Sequence, residues 1–280
     1  MPSKRKDAEA LPHIKEGDVK AEVKVEVKAE PLKGKETGID TAMWKPKTLL
    51  GLKVKKGEIT NIGEIIESGH RILESEITDI LMPGLETELL FVGQAKGKFG
   101  GGQKRIFKQT QKKTKEGNKP HFTIVAVVGD RNGHFGLGHG KSKETVPARE
   151  KATRNAKLNI MNVKRGCGSW QCGCANPHSI PYTIEGKCGS VILRLIPAPK
   201  GTGLKTTSDV QTMLQLAGIR DVWSKIVGHQ KSKMNVVFAC RNALLRMSDM
   251  KVSQKEAKAL GIAEEVIEVP EVPNEGDANE

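Results

Sequence analysis

The sequence has few aromatic residues: one tyrosine, three tryptophans and six phenylalanines make up 4% of 280 positions. That scarcity argues against a protein that grips single strands by stacking base after base on aromatic rings. No apolar run approaches the roughly 20 residues that cross a bilayer. The opening MPSKRKDAEA carries charge with no apolar stretch behind it of the kind a secretory leader needs. Neither membrane nor export is therefore expected. Cysteines number only five, an odd count; a secreted disulfide scaffold pairs its cysteines, so the expected compartment is the reducing cytoplasm.

Negative charge is scarce where positive charge is dense. Between Phe91 and Gly166 there are 18 Lys and Arg against 4 Asp and Glu, whereas Gly261 to Glu280 holds 7 acidic residues and no basic one. The net charge of +13 is thus concentrated in mid-chain. Such an excess repels itself unless a polyanion neutralises it, and nucleic acid, through its phosphates, is the leading candidate.

Composition divides the chain. Residues 1–40, in which Val19 to Glu30 alternates Val or Ala with balanced charges before Pro31 and Gly34, read as a disordered tail. Residues 41–87 hold two short apolar segments, GEITNIGEIIESG and ESEITDILMPGL, read as a helical brace. From 88 to 165 the pattern predicts strands and then a helix. Two strands from Glu88 to Gln109 flank a tip, KGKFGGGQKR, and a basic loop, QKKTKEGNK, follows. A β-branched strand, an Asp130–Gly133 turn and a second strand lead to a helix over TVPAREKATRNAKLNIMNVKR, with Ala148, Ala152, Ala156 and Ile160 at spacing four. Residues 166–250 repeat the theme with SIPYTIEGK, CGSVILRLIPAP and DVWSKIVGH as strands. SDVQTMLQLAGI, capped by Ser208, and KSKMNVVFACRNALLRM are its helices. Residues 251–280 read as an acidic tail. The fold class is α+β in two modules.

Three motifs invite chemistry. GHFGLGHGKS fails as a phosphate-binding loop, because Phe135 stands where the first glycine is required; its Gly136, Gly138 and Gly140 suit a surface laid against a bulky ligand backbone. PAPKGTGLKTTSDV has the form of an anion site at a helix start and resembles the Pro-x-x-x-Gly-Leu loop of small-metabolite kinases. No metal-binding carboxylate pair or catalytic base accompanies it, so phosphate contact through Lys200 and Lys205 is the expected use. RGCGSWQCGCANPH holds Cys167, Cys172 and Cys174, with His178 or Cys188 as a fourth donor for zinc. The C-x4-C-x-C spacing departs from the usual C-x2-C knuckle, so the expected reading is a glycine-rich turn with small thiols acting as hydrophobes and no bound metal.

Taken together, FTIVAVVGDRNGHFGLGHGKSKE, the alanine-rich helix, GSVILRLIPAPKGTGL and LAGIRDVW resemble the small-subunit ribosomal protein family numbered five in bacteria. RGCGSWQC and GKCGSV resemble its archaeal branch. The resemblance, from about Trp44 to Met250, implies a first domain (88–165) similar to double-stranded-RNA-binding domains and a β-α-β-α second domain sharing its fold with the metabolite kinases. It implies a non-catalytic, cofactor-free constituent of cytoplasmic ribosomes. Its partners would be small-subunit rRNA, mRNA where it enters the subunit, and neighbouring ribosomal proteins, with an influence on decoding accuracy. A free double-stranded-RNA-binding regulator and a metabolite kinase are the competing classes. The family's hairpin tip maps onto Gly101, Gly102, Lys104 and Arg105. Its Gly-Asp-x-x-Gly turn and following glycines map onto Gly129, Asp130, Gly133, Gly136 and Gly138, with Lys141 and Lys143 after them. Lys108, Lys112, Lys113, Arg131, Lys164, Arg165 and Lys200 complete the expected RNA-contacting set.

Overall fold

A computed structural model describes residues 44–95, 102 and 104–262. The N-terminal tail, Gly101 within the hairpin tip, and the acidic residues after 262 lie outside the described residues.

Three short helices come first: α1 (Leu49–Lys56), α2 (Ile62–Glu67) and α3 (Ser75–Leu81). Val54, Ile62, Ile65, Ile72 and Ile77 give them a small core of their own. Helix α1 has no counterpart in the sequence expectation. Leu49 and Leu52 are exposed, so its apolar residues do not make a clean stripe. Its ends are nonetheless well defined, by the Thr48 hydroxyl accepting from Gly51 N–H at 3.1 Å and by Gly57 in the left-handed conformation.

The first sheet contains β1 (Glu86–Leu89), β2 (Lys108–Thr114), β3 (Gly117–Gly129), β4 (His134–Ser142) and β5 (Ile160–Asn162), with α4 (Thr145–Leu158) preceding β5. The order is β1-β3-β4-β5. Strand β3 is long enough to hold two partners along one edge: β1 pairs with 126–129 and β2 with 117–123. Alternation along β3 sends its side chains to two cores. Ile124, Ala126 and Val128 pack on Ala148, Ala152 and Ala156 of α4. Val125 and Val127, with Phe135 and Leu137 of β4, enter the core of the second module.

That module comprises β6 (Ile184–Cys188), β7 (Val191–Pro197), β8 (Leu204–Lys205), α5 (Ser208–Leu216), β9 (Val222–Val227), α6 (Lys233–Ser248) and α7 (Gln254–Leu260). Its sheet runs β6-β7-β9-β8, with β8 parallel to β9. The α+β architecture is as expected, but the two modules share one core. Helix α3 is tied to α4 by the Thr78 hydroxyl, which donates to Lys157 O at 3.0 Å, and by a Lys157–Asp79 ion pair at 2.6 Å.

Four boundaries depart from expectation. The long predicted helix ends at Leu158, and Ile160–Asn162 instead pairs with β4. In SIPYTIEGK only Ile184 onward is strand. Thr207, not Ser208, is the N-cap of α5. Residues 254–260, placed in the acidic tail, form α7, started by a capping box between Ser253 and Glu256.

Candidate nucleic-acid interface

The basic loop QKKTKEGNK is a β-ribbon. Strand β2 and the start of β3 pair from Lys108↔Thr123 to Thr114↔Gly117 around a turn at Lys115 and Glu116. All but one of the β2 residues are exposed, as is β3 from Gly117 to Pro120. The ribbon therefore extends past the core with little apolar burial, and an isolated two-stranded ribbon is marginal in water. Lys112 lies directly opposite Lys119, an arrangement that destabilises a strand pair unless counter-charge is supplied; among the described residues Lys119 pairs with the exposed Glu116, at 3.0 Å. Thr123 pairs with Lys108 on one side and Lys141 on the other, so Lys108, Lys112, Lys119 and Lys141 share one face of the sheet. It is the same face that buries Val125 and Val127 further along.

The two strands expected around the glycine tip are not a hairpin of their own. Strand β1 pairs with β3, and the tip is closed by one bridge, Ala95 to Lys104, and by Gly93 N–H donating to Arg105 O at 2.8 Å. Lys104, Arg105 and Gly102 are exposed at its base.

Three concave surfaces adjoin the ribbon. One, of about 610 Å³, is lined by Lys104, Lys108, Lys231 and Lys233. A second, of about 290 Å³, shares Lys104 and adds Arg105 and Arg149. A third, of about 720 Å³, holds His121, Lys141, Lys143 and Lys151. Crowding is evident at Lys104, whose ammonium is drawn below its ordinary pKa first by the neighbouring Lys233 amine and then by burial. Lys231 and Lys233 of the second module, and Lys119 of the ribbon, were not in the expected set. Recognising TKEGNK as a turn would have placed Lys119 opposite Lys112; nothing local reveals Lys231 and Lys233.

Three expected contacts already have partners within the chain. Arg131 pairs with Glu86 at 2.7 Å, Lys164 donates to Met250 O at 2.7 Å, and Arg165 donates to Asn132 O at 2.6 Å. The last of these supports the β3–β4 turn. There Asp130 accepts from the amides of Asn132 at 2.7 Å and His134 at 3.1 Å, and its other oxygen meets His134 Nδ1 at 2.7 Å.

The glycines of β4 do not form a ligand surface. A Cβ on Gly136 would come within 2.4 Å of Ala156 O, one on Gly138 within 2.1 Å of Ala156 N, and one on Gly140 within 2.2 Å of Ala148 O. The partner of this flat surface is α4, whose alanines allow the backbones to approach.

The cysteine segment brings Cys167, Cys172, Cys174 and His178 together, their donor atoms all within 4.8 Å. Cys188 is not among them; it sits in β6 beside the main core. Burial, then the neighbouring sulfurs, pushes the Cys167 thiol up to about 11, while N–H groups of Lys200 and Cys174 draw Cys172 down to about 6. The PAPKGTGL loop packs beside this cluster, with Lys200 exposed and Gly203 N–H donating to Asp221 at 2.8 Å. Trp170, in the same segment, is 89% exposed. Among the described residues no helix is long and apolar enough to cross a membrane.

Comparison with known proteins gives two adjacent family matches: residues 106–164 match the N-terminal domain of ribosomal protein S5 and residues 186–258 its C-terminal domain. Among archaeal relatives, the small ribosomal subunit protein uS5 of Nanoarchaeum equitans is 48% identical over 221 residues, 79% of this chain and 95% of the relative. That of Methanocaldococcus jannaschii is 44% identical over 221 residues, 79% and 95% respectively. That of Methanococcus maripaludis is 40% identical over 244 residues, 87% and 98%.

Proposed function

The chain belongs to the ribosomal protein S5 family, and from that membership we propose that it is a structural, non-catalytic constituent of the small ribosomal subunit in the cytoplasm. It binds rRNA where mRNA enters the subunit, contacts neighbouring ribosomal proteins, and supports decoding accuracy. The observation that carries RNA binding is the lysine ribbon, whose Lys112 and Lys119 face one another with no core beneath them. A phosphate backbone supplies counter-charge beyond that of the exposed Glu116, and release of its condensed counterions drives association.

Gly102, Lys104 and Arg105, exposed beside the ribbon, supply a further RNA contact; Gly101, expected with them, lies outside the described residues. Lys108, Lys112, Lys113, Lys141, Lys143 and Lys200 supply phosphate contacts. Arg131, Lys164 and Arg165, already bonded within the chain, hold the turn and the module junction in position. The predominance of lysine over base-reading or stacking groups favours recognition of a folded backbone over recognition of sequence. The exposed Trp170 is suited to a neighbouring protein or an unpaired base.

Sucrose-gradient fractionation of cells expressing the tagged chain tests this reading. The wild type is expected to sediment with small subunits. Replacing Lys104 and Arg105 by Ala should move part of it to the top of the gradient. A chain found mostly free, bound to double-stranded RNA and indifferent to subunit abundance, would identify a regulator instead.

A further inference from the structure

Residues 163–183 link β5 to β6 without helix or strand. One backbone bridge, Gly166 to Ser179, ties it together, and a stretch this long inside a compact domain is usually functional in its own right. Four soft donors converge within it. The Sγ atoms of Cys167 and Cys174 are 3.6 Å apart, and Cys172 Sγ is 3.8 Å from His178 Nε2. Two thiolates each about 2.3 Å from one tetrahedral ion stand about 3.8 Å apart. The same spacing is far beyond the about 2.05 Å of a disulfide.

The surroundings are those of a ligand set. His178 is buried, and its other nitrogen, Nδ1, lies 2.8 Å from Asp221 Oδ2. With Nδ1–H donating to the carboxylate, the Nε2 lone pair is left directed at the sulfurs. Asp221 is itself buried, and its second oxygen accepts from Gly203 N–H at 2.8 Å. Buried thiols filling space do not account for the cluster, because only Cys167 is buried; Cys172 and Cys174 are partly open to solvent.

We propose that Cys167, Cys172, Cys174 and His178 bind one structural zinc ion, with Asp221 as the positioning residue for His178. Three sulfurs and an imidazole select zinc over the hard, oxygen-preferring cations. Four protein donors leave no open coordination position, so the ion is a structural one. It anchors the linker between the modules to the loop Pro197–Gly203 through Asp221, and to α7 through Cys167 N–H, which donates to Leu260 O at 2.7 Å. The proposal does not depend on the RNA reading.

The test uses the purified full chain, stripped of metal under reducing conditions and titrated with cobalt. The expected result is an intense visible spectrum of tetrahedral, sulfur-ligated cobalt that zinc bleaches at near-stoichiometric addition. Cys188→Ser should leave it unchanged and Cys174→Ser should abolish it. Asp221→Asn should weaken zinc affinity about 10–100-fold. Because Cys174→Ser can unfold the linker, the wild-type spectrum decides. A wild-type chain that gives only the weak spectrum of hydrated cobalt, or a Cys174→Ser chain that keeps the tetrahedral spectrum, would overturn the proposal.

Discussion

Asp130 closes the turn between β3 and β4 with both carboxylate oxygens, and its chemistry can be followed by pH. Burial pushes its pKa up, but the His134 ring and the amides of Asn132 and His134 outweigh burial and hold the group below its ordinary value. A carboxyl depressed in the fold stabilises it at pH above the unfolded value, about 3.9, and that contribution is lost as pH falls through the folded value. Asp130→Asn is therefore expected to cost about 1–3 kcal/mol at neutral pH and less in acid, as measured by urea unfolding at pH 7 and pH 3. Equal losses at both values would contradict the assignment. This turn was legible in the sequence, because Asp, Asn and Gly crowd within four positions. The role of Asp221 was not: it bonds His178 across 43 residues, and nothing local marks such a pairing.

Helix α4 and strand β4 form one element pair, alanines at spacing four against glycines at spacing two. Each half was legible alone. The glycines suggested a ligand surface because flatness in a strand does not say what lies against it; only the fold supplies α4 as the occupant. Gly138→Ala would drive a methyl into the Ala156 amide and the Ala152 carbonyl. Overpacking of that kind costs about 1–3 kcal/mol. Gly84→Ala, with nothing within 4 Å of the new carbon, should be near neutral in the same unfolding experiment; equal effects would refute the close packing. The ribbon was missed for the opposite reason. KQTQKKTKEGNK has no apolar alternation, and its strands are held by backbone pairing with β3, whose apolar half anchors them further along.

Across the described residues the charge follows the fold. One face of the first sheet is apolar where it meets the second module and lysine-rich beyond that boundary. The concave surfaces beside it draw further lysines from β4, α4 and the start of α6. Composition made a polyanionic partner legible, and the resemblance of several separate blocks, in order, made the family legible. How the modules share a core could not be read, because Val125 and Val127 alternate with residues that serve the other core. The central claim is that the ribbon lysines neutralise rRNA phosphates. Its direct test is the affinity of the full chain for small-subunit rRNA across a salt series, compared with a variant carrying Ala at Lys108, Lys112, Lys113 and Lys119. If these lysines contact phosphates, the slope of log affinity against log salt becomes shallower by roughly 3, with the fold intact by circular dichroism. A folded variant whose affinity and slope match the wild type would contradict the claim.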